Sequence, residues 1–184
     1  MENELIITRE FIKTNYPIEN IVNIFNECFP NGAKISEFPK IRPYLEKARP
    51  NFKAIYDCFA GWLLKVLPFN ETPLEFDSAN IQDDIIYNGD IQIKSDVTLV
   101  NSQIYLTGNL KINGKLAISG NGFILSYRDD YVIANEIYND GGYICGKAIA
   151  DKVTLINGGQ INGDIITKSL YTDLNTYETL MNRN

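Results

Sequence analysis

At 184 residues the chain has room for one domain, or for one solenoid with a smaller attached domain. It contains no histidine, which excludes a Ser-His triad, a Cys-His dyad, a histidine general base and any His-containing zinc site. The net charge of −6 is uneven: residues 1–68 carry 9 Lys/Arg against 8 Asp/Glu (9 − 8 = +1), residues 69–184 carry 8 against 15 (8 − 15 = −7). That balance argues against DNA or RNA as a direct ligand, because phosphate binding needs clustered Lys and Arg, and is compatible with a basic protein partner.

The start, Met1-Glu2-Asn3-Glu4, is acidic, unlike the basic head of a secretion signal. The longest apolar stretch, Ala54 to Phe69, is broken by Asp57 and Lys65 and is too short for a bilayer. These features predict a soluble, cytoplasmic protein. Cys28, Cys58 and Cys145 are far apart with no CxxC, so buried free thiols are expected.

The first third, 1–68, predicts a small helical domain. Thr8 to Asn15 carries Phe11 and Ile12 on one face, and Pro17 opens a helix with Ile18, Ile21, Val22, Phe25 and Phe29 at helical spacing. Pro30-Asn31-Gly32 stops it, Lys34 to Pro39 reads as a connector, and Ile41 to Ala48 as a short helix. Phe52 to Leu67 is a longer helix whose stripe is Ile55, Phe59, Trp62, Leu63 and Val66. Residues 69–84, crowded with Pro73 and acids, read as a linker.

From Ile85 to Leu170 the sequence repeats. Asn88-Gly-Asp-Ile91 returns as Asn162-Gly-Asp-Ile165, 162 − 88 = 74 residues on, and Val97-Thr-Leu-Val-Asn101 returns as Val153-Thr-Leu-Ile-Asn157, 153 − 97 = 56 residues on. Four periods of ~18.5 residues and three of ~18.7 fit both spacings. Short alternating segments lie between: Ile91-Gln-Ile93, Val97-Thr-Leu99, Ile104-Tyr-Leu106, Leu110-Lys-Ile112 and Leu116-Ala-Ile118. The pattern predicts an α+β chain: an N-terminal helical domain, then a short right-handed parallel β-helix of about five or six coils over 85–170, then a C-terminal cap over 171–184. Thr172 or Asp173 would N-cap a short closing helix carrying Leu174, Tyr177, Leu180 and Met181.

The segment Gly146 to Leu170, with its apolar strand, Gly158-Gly159 turn and Gly163-Asp164-Ile165 step, resembles the repeat of bactofilins, the polymer-forming bacterial cytoskeletal proteins built on a right-handed β-helix. The resemblance covers about the C-terminal half and implies a scaffold that self-assembles through open β-helix ends. The helical domain departs from that pattern, and closed ends would leave filament growth without a template.

Catalytic chemistry finds little support, and no cofactor motif occurs: GxxxxGK[ST] and GxGxxG are both missing. Asp83-Asp84, Asp90, Asp129-Asp130 and Asp164 are the acids that could hold calcium in a carbohydrate-acting β-helix enzyme, a third reading. Asp90 and Asp164 would sit about four coils, or ~19 Å, apart, so both read as turn residues bonding nearby backbone, and no metal site is expected. Six tyrosines (Tyr87, Tyr105, Tyr127, Tyr131, Tyr138, Tyr143) fall in the solenoid and suit recognition. Tyr127, Arg128, Asp129, Asp130 and Tyr131 break the cadence, and such inserts leave a solenoid as binding loops. The sequence thus points to a non-enzymatic protein-binding module, an inhibitor or immunity-type protein that engages a basic, nucleic-acid-acting partner and can form a homo-oligomer.

Overall fold

The computed structural model describes residues 6–15, 19–48, 52–77, 80–81, 83–128 and 130–181. The chain divides into two compact units, Met1–Val66 and Leu67–Asn184.

The first unit is helical. β1 (Ile6–Ile7) leads into α1 (Arg9–Asn15), whose entry is capped by Thr8, its Oγ1 accepting from the Phe11 N–H at 3.2 Å. α2 (Glu19–Cys28) follows, and β2 (Ala33–Lys34) returns to pair antiparallel with β1, a pairing too short to show a period of two in the sequence. Where the sequence reads a connector, Ile35–Ile41 is a 3₁₀ helix. Three residues per turn put Phe38 and Ile41 on one side, and both are buried. α3 (Arg42–Ala48) and α4 (Phe52–Val66) complete the unit. The core is aromatic: Phe38 lies 4.6 Å from Phe59, and Phe59 stacks on Trp62 at 5.2 Å. The buried stripe of α4 runs through Tyr56, Phe59, Ala60, Leu63 and Leu64, so Val66, expected inside, is exposed. Ile18 lies outside the described residues, as does the side chain of Ile55.

The second unit is a parallel β-solenoid of about five turns with three faces. Its first coil comprises β3 (Asn70–Phe76), β4 (Asn80–Ile81) and β5 (Ile85–Tyr87). The second is β6 (Gly89–Ile93), β7 (Val97–Val100) and β8 (Gln103–Leu106). The third is β9 (Leu110–Ile112), β10 (Lys115–Ser119) and β11 (Phe123–Ser126), and the fourth β12 (Tyr131–Ile133), β13 (Glu136–Asp140) and β14 (Tyr143–Cys145). In the fifth, β15 (Lys147–Ile156) runs unbroken over two faces before β16 (Gln160–Asn162). β17 (Ile165–Thr172) begins a sixth, and α5 (Leu174–Met181) follows it.

The sequence repeats are in true register. Ile91 stacks through Leu110, Val132 and Ala148 to Ile165, four coils on, and Val97 through Leu116 and Ile137 to Val153, three coils on. On the third face the inward column is Ile85, Ile104, Ile124, Ile144 and Ile161. These ladders are the core, and their apolar side chains are what each added coil removes from water. Polar residues also occur at inward positions: Ser126 stacks on Leu106, and Asn139, fully buried between Ile118 and Leu155, donates to the Gln160 carbonyl at 3.0 Å.

The linker reading of 69–84 is corrected. β3 pairs in parallel with β6, and β4 with β7, so the solenoid starts a coil earlier than its repeats. A terminal coil has a neighbour on one side only, and Glu71, Pro73 and Glu75 on β3 blur its alternation.

At one corner the recurrence of Asn and Gly follows from the backbone. Val100, Ser119, Asp140 and Ile156 are stacked, and the residue after each (Asn101, Gly120, Gly141, Asn157) has φ of 59°, 60°, 78° and 51°. That left-handed step is open to Gly and, among side-chain-bearing residues, best to Asn. In the fifth coil two neighbouring glycines of this same corner differ. Gly158 has φ +81° and open space around a would-be Cβ, whereas a Cβ on Gly159 would lie 2.3 Å from the Asn139 carbonyl oxygen. In chemical denaturation, Gly158→Ala is expected to cost about 1 kcal/mol through φ alone, and Gly159→Ala about 2–3 kcal/mol, because backbone must move.

Candidate functional site

Of the five residues that break the cadence, Tyr127, Arg128 and Asp130 lie between β11 and β12, and Tyr131 opens β12. The coil from Leu110 to Val132 takes 132 − 110 = 22 residues, the next, to Ala148, only 148 − 132 = 16. Tyr127 is half-buried and donates its N–H to the Leu106 carbonyl at 3.0 Å. The Arg128 guanidinium lies over the Phe69 ring at 5.5 Å. Asp130 N–H donates to Ser126 Oγ at 3.1 Å, and its carbonyl accepts from Lys147 N–H at 3.2 Å. Asp129 lies outside the described residues. Tyr131 borders a depression. With Pro73, Asp90, Gln92, Asn109 and Lys111 it lines an open groove of about 380 Å³ on the outer side of the first face.

Two of the groove's polar side chains, Asp90 and Asn109, are engaged. Asp90 Oδ1 accepts from the Asn109 N–H at 2.7 Å, and Asn109 Oδ1 from the Tyr131 N–H at 3.1 Å. The same device recurs elsewhere: Asp84 Oδ1 takes the Gln103 N–H and Asp96 Oδ1 the Lys115 N–H, each at 2.8 Å, and Asn101 Oδ1 the Asn121 N–H at 3.0 Å. Each bond spans one coil, 19–22 residues, so these side chains fasten a corner to the one above rather than bonding nearby backbone. Among the described residues no group of three or more His, Cys, Asp or Glu could hold a metal ion.

The tyrosines divide. Tyr105 is fully buried, with its hydroxyl on Gln103 Oε1, so it is no recognition residue; Tyr131 is 37% exposed. Phe123 stacks on Tyr143 at 5.5 Å. The cysteines are free thiols, but Cys58 is exposed and Cys28 and Cys145 are half-buried, against the expectation of full burial.

The feature that sequence reasoning missed is the C-terminal end. β17 pairs with β15 alone among the described residues. After it the chain turns at Asp173, whose Oδ2 accepts from the Asn157 N–H at 2.7 Å and Oδ1 from the Thr176 N–H at 2.8 Å, and becomes α5 instead of a third strand. Asp173 is thus the N-cap, and hydrogen bonding from the Thr176 hydroxyl, together with the Asn157 and Thr176 N–H groups, holds its carboxyl below the ordinary carboxylate range. α5 does form, and buried Thr176 accepts the Gly158 N–H at 3.0 Å. Its expected apolar face is not covered: Leu174 is 71% and Tyr177 50% exposed, while the side chains of Leu180 and Met181 lie outside the described residues. On β17, Ile166, Leu170 and Tyr171 are 55%, 52% and 59% exposed. Five of the eleven large apolar side chains exposed among the described residues therefore fall within 166–177. Leu170 continues the inward column from Val153, and its exposure means that this column is open at its last rung, while Ile161, last in the third-face column, is buried. The signal lay in the repeat itself, since the last rung of a ladder has nothing above it.

No family model, curated protein or solved structure matches the chain. No helix among the described residues is long and apolar enough to cross a membrane.

Two outcomes follow from the site geometry. Asp90→Ala should lower stability in urea titration by about 1–3 kcal/mol, the worth of a hydrogen bond to a charged acceptor, while exposed Asp164→Ala stays within about 0.5 kcal/mol. Because the Asp173 pKa is depressed in the folded state, its contribution is complete above the ordinary carboxylate range and is lost as pH falls through the lowered value. Protection factors of the α5 amides, which take out the intrinsic pH dependence of exchange, should therefore hold steady down to that range and fall below it, and should be low throughout in Asp173→Ala.

Proposed function

We propose that the chain is a non-enzymatic protein-binding module that docks through the C-terminal end of its solenoid. The carrying observation is the concentration of exposed apolar and aromatic side chains at Ile166, Leu170, Tyr171, Leu174 and Tyr177, beside a strand that pairs along one edge only among the described residues. Apolar surface gathered this way is what partners cover, and an open strand edge adds backbone bonds to the contact. A bactofilin-like scaffold would use an end of this kind.

A second reading has its own support. The net charge of −7 over 69–184 suits a basic partner, as in an inhibitor or immunity protein, where opposite charge speeds encounter. On that reading Arg128, Asp130 and Tyr131, with Tyr127 and Asp129, rim the contact.

Quantitative affinity proteomics from the native host separates the two. Three baits are compared: the wild type, Ile166→Lys/Tyr171→Lys, and a corner variant with alanine at 127–131. Proteins lost with the β17 variant alone support end docking, and proteins lost with the corner variant alone, in a salt-sensitive manner, favour the acidic-flank reading. Identical recoveries from all three overturn both.

A further inference from the structure

We propose that the occupant of this end is a second copy of the same chain, β17 against β17 in a closed two-fold dimer; the proposal rests on the end being a docking surface.

Charge selects the occupant. Two copies of a unit with net charge −7 repel one another flank to flank. Along Ile165–Thr172 the only charged side chain is Lys168, and Asp151 of the neighbouring strand holds it at 2.7 Å. Edges that stay single are guarded by free Lys, Pro or a bulge. β17 has no Pro, and its one Lys is engaged. A basic partner gains nothing from so neutral a strip, whereas an identical strip meets it without repulsion.

The area suffices. At roughly 100–150 Å² for the exposed part of each of the five side chains, a pair of copies would bury about 1,200 Å², the lower bound for a specific interface.

The strand pattern fixes the register. The ladder from β17 to β15 skips Lys168 and continues without a break over Ser169–Thr172. Residues facing each other across an antiparallel pair lie on the same side of the sheet, so the two-fold must pass through a residue. At Leu170 it sets the inward leucine of one copy against that of the other, joining the two open columns, with Ser169 facing Tyr171. An isologous contact consumes both edges and stops at two.

Sedimentation velocity over a concentration series tests the pair. The wild-type chain should reach twice the single-chain mass, and Leu170→Lys should raise the dissociation constant at least about thirtyfold, as expected for loss of a central anchor. Tyr171→Lys, whose side chain points outward, should act in the same direction and keeps the test open if the first variant misfolds. A wild type that stays a single chain at every concentration overturns the dimer, while the proteomic comparison still judges the docking surface separately. Open-ended growth overturns the closed pair. In a Cys58→Ser background, Leu170→Cys should oxidise to a cross-linked dimer faster than Ser169→Cys or Thr172→Cys; equal rates overturn the register.

Discussion

Each coil of the solenoid can satisfy its backbone only through the coils above and below it. A parallel ladder has no local hydrogen bonds, so N–H and C=O groups on all three faces point along the stacking axis. The inward columns obey the same rule, since an isoleucine at 104 is buried by those at 85 and 124. Sides are finished by alternation, but ends cannot be. This one constraint produces both the regular interior and the uncovered Leu170 at its last rung.

It also assigns work to the acids. Asp84, Asp90, Asp96 and Asp173 fasten corners through backbone N–H groups, Glu75 and Asp77 hold Lys94 at 2.8 and 3.3 Å, and Asp151 holds Lys168. The negative field of the second unit is thus partly a by-product of how its coils are joined. Composition counts such carboxylates as surface charge, and only geometry separates the structural ones from those facing outward.

The repeats made the register legible because the ladder demands it: Ile91 and Ile165 must both be apolar to stack in one column, and Asn101 and Asn157 must both tolerate a left-handed backbone. The first coil was not legible, because Pro73 and its flanking acids sit where a middle coil would alternate. β1 and β2 are two residues each, below the length at which alternation can be seen. The groove was half legible. Tyr131 was marked by the broken cadence, but Asp90, Gln92, Asn109 and Lys111 come from two other coils and meet it only through stacking. The tail's helical spacing was read correctly, while the direction its apolar side faces depends on the turn at Asp173, which spacing does not encode.

Coil length is where this architecture is permissive. Between the third face and the first, successive coils use one residue (Asn88), then three (107–109), four (127–130), one (Gly146) and two (163–164), yet the strands on either side stay aligned. Slack is taken up at that vertex without disturbing the columns. Foreign peptide could be grafted there, at any chosen height along the rod, and displayed at intervals set by the stacking distance of ~4.8 Å.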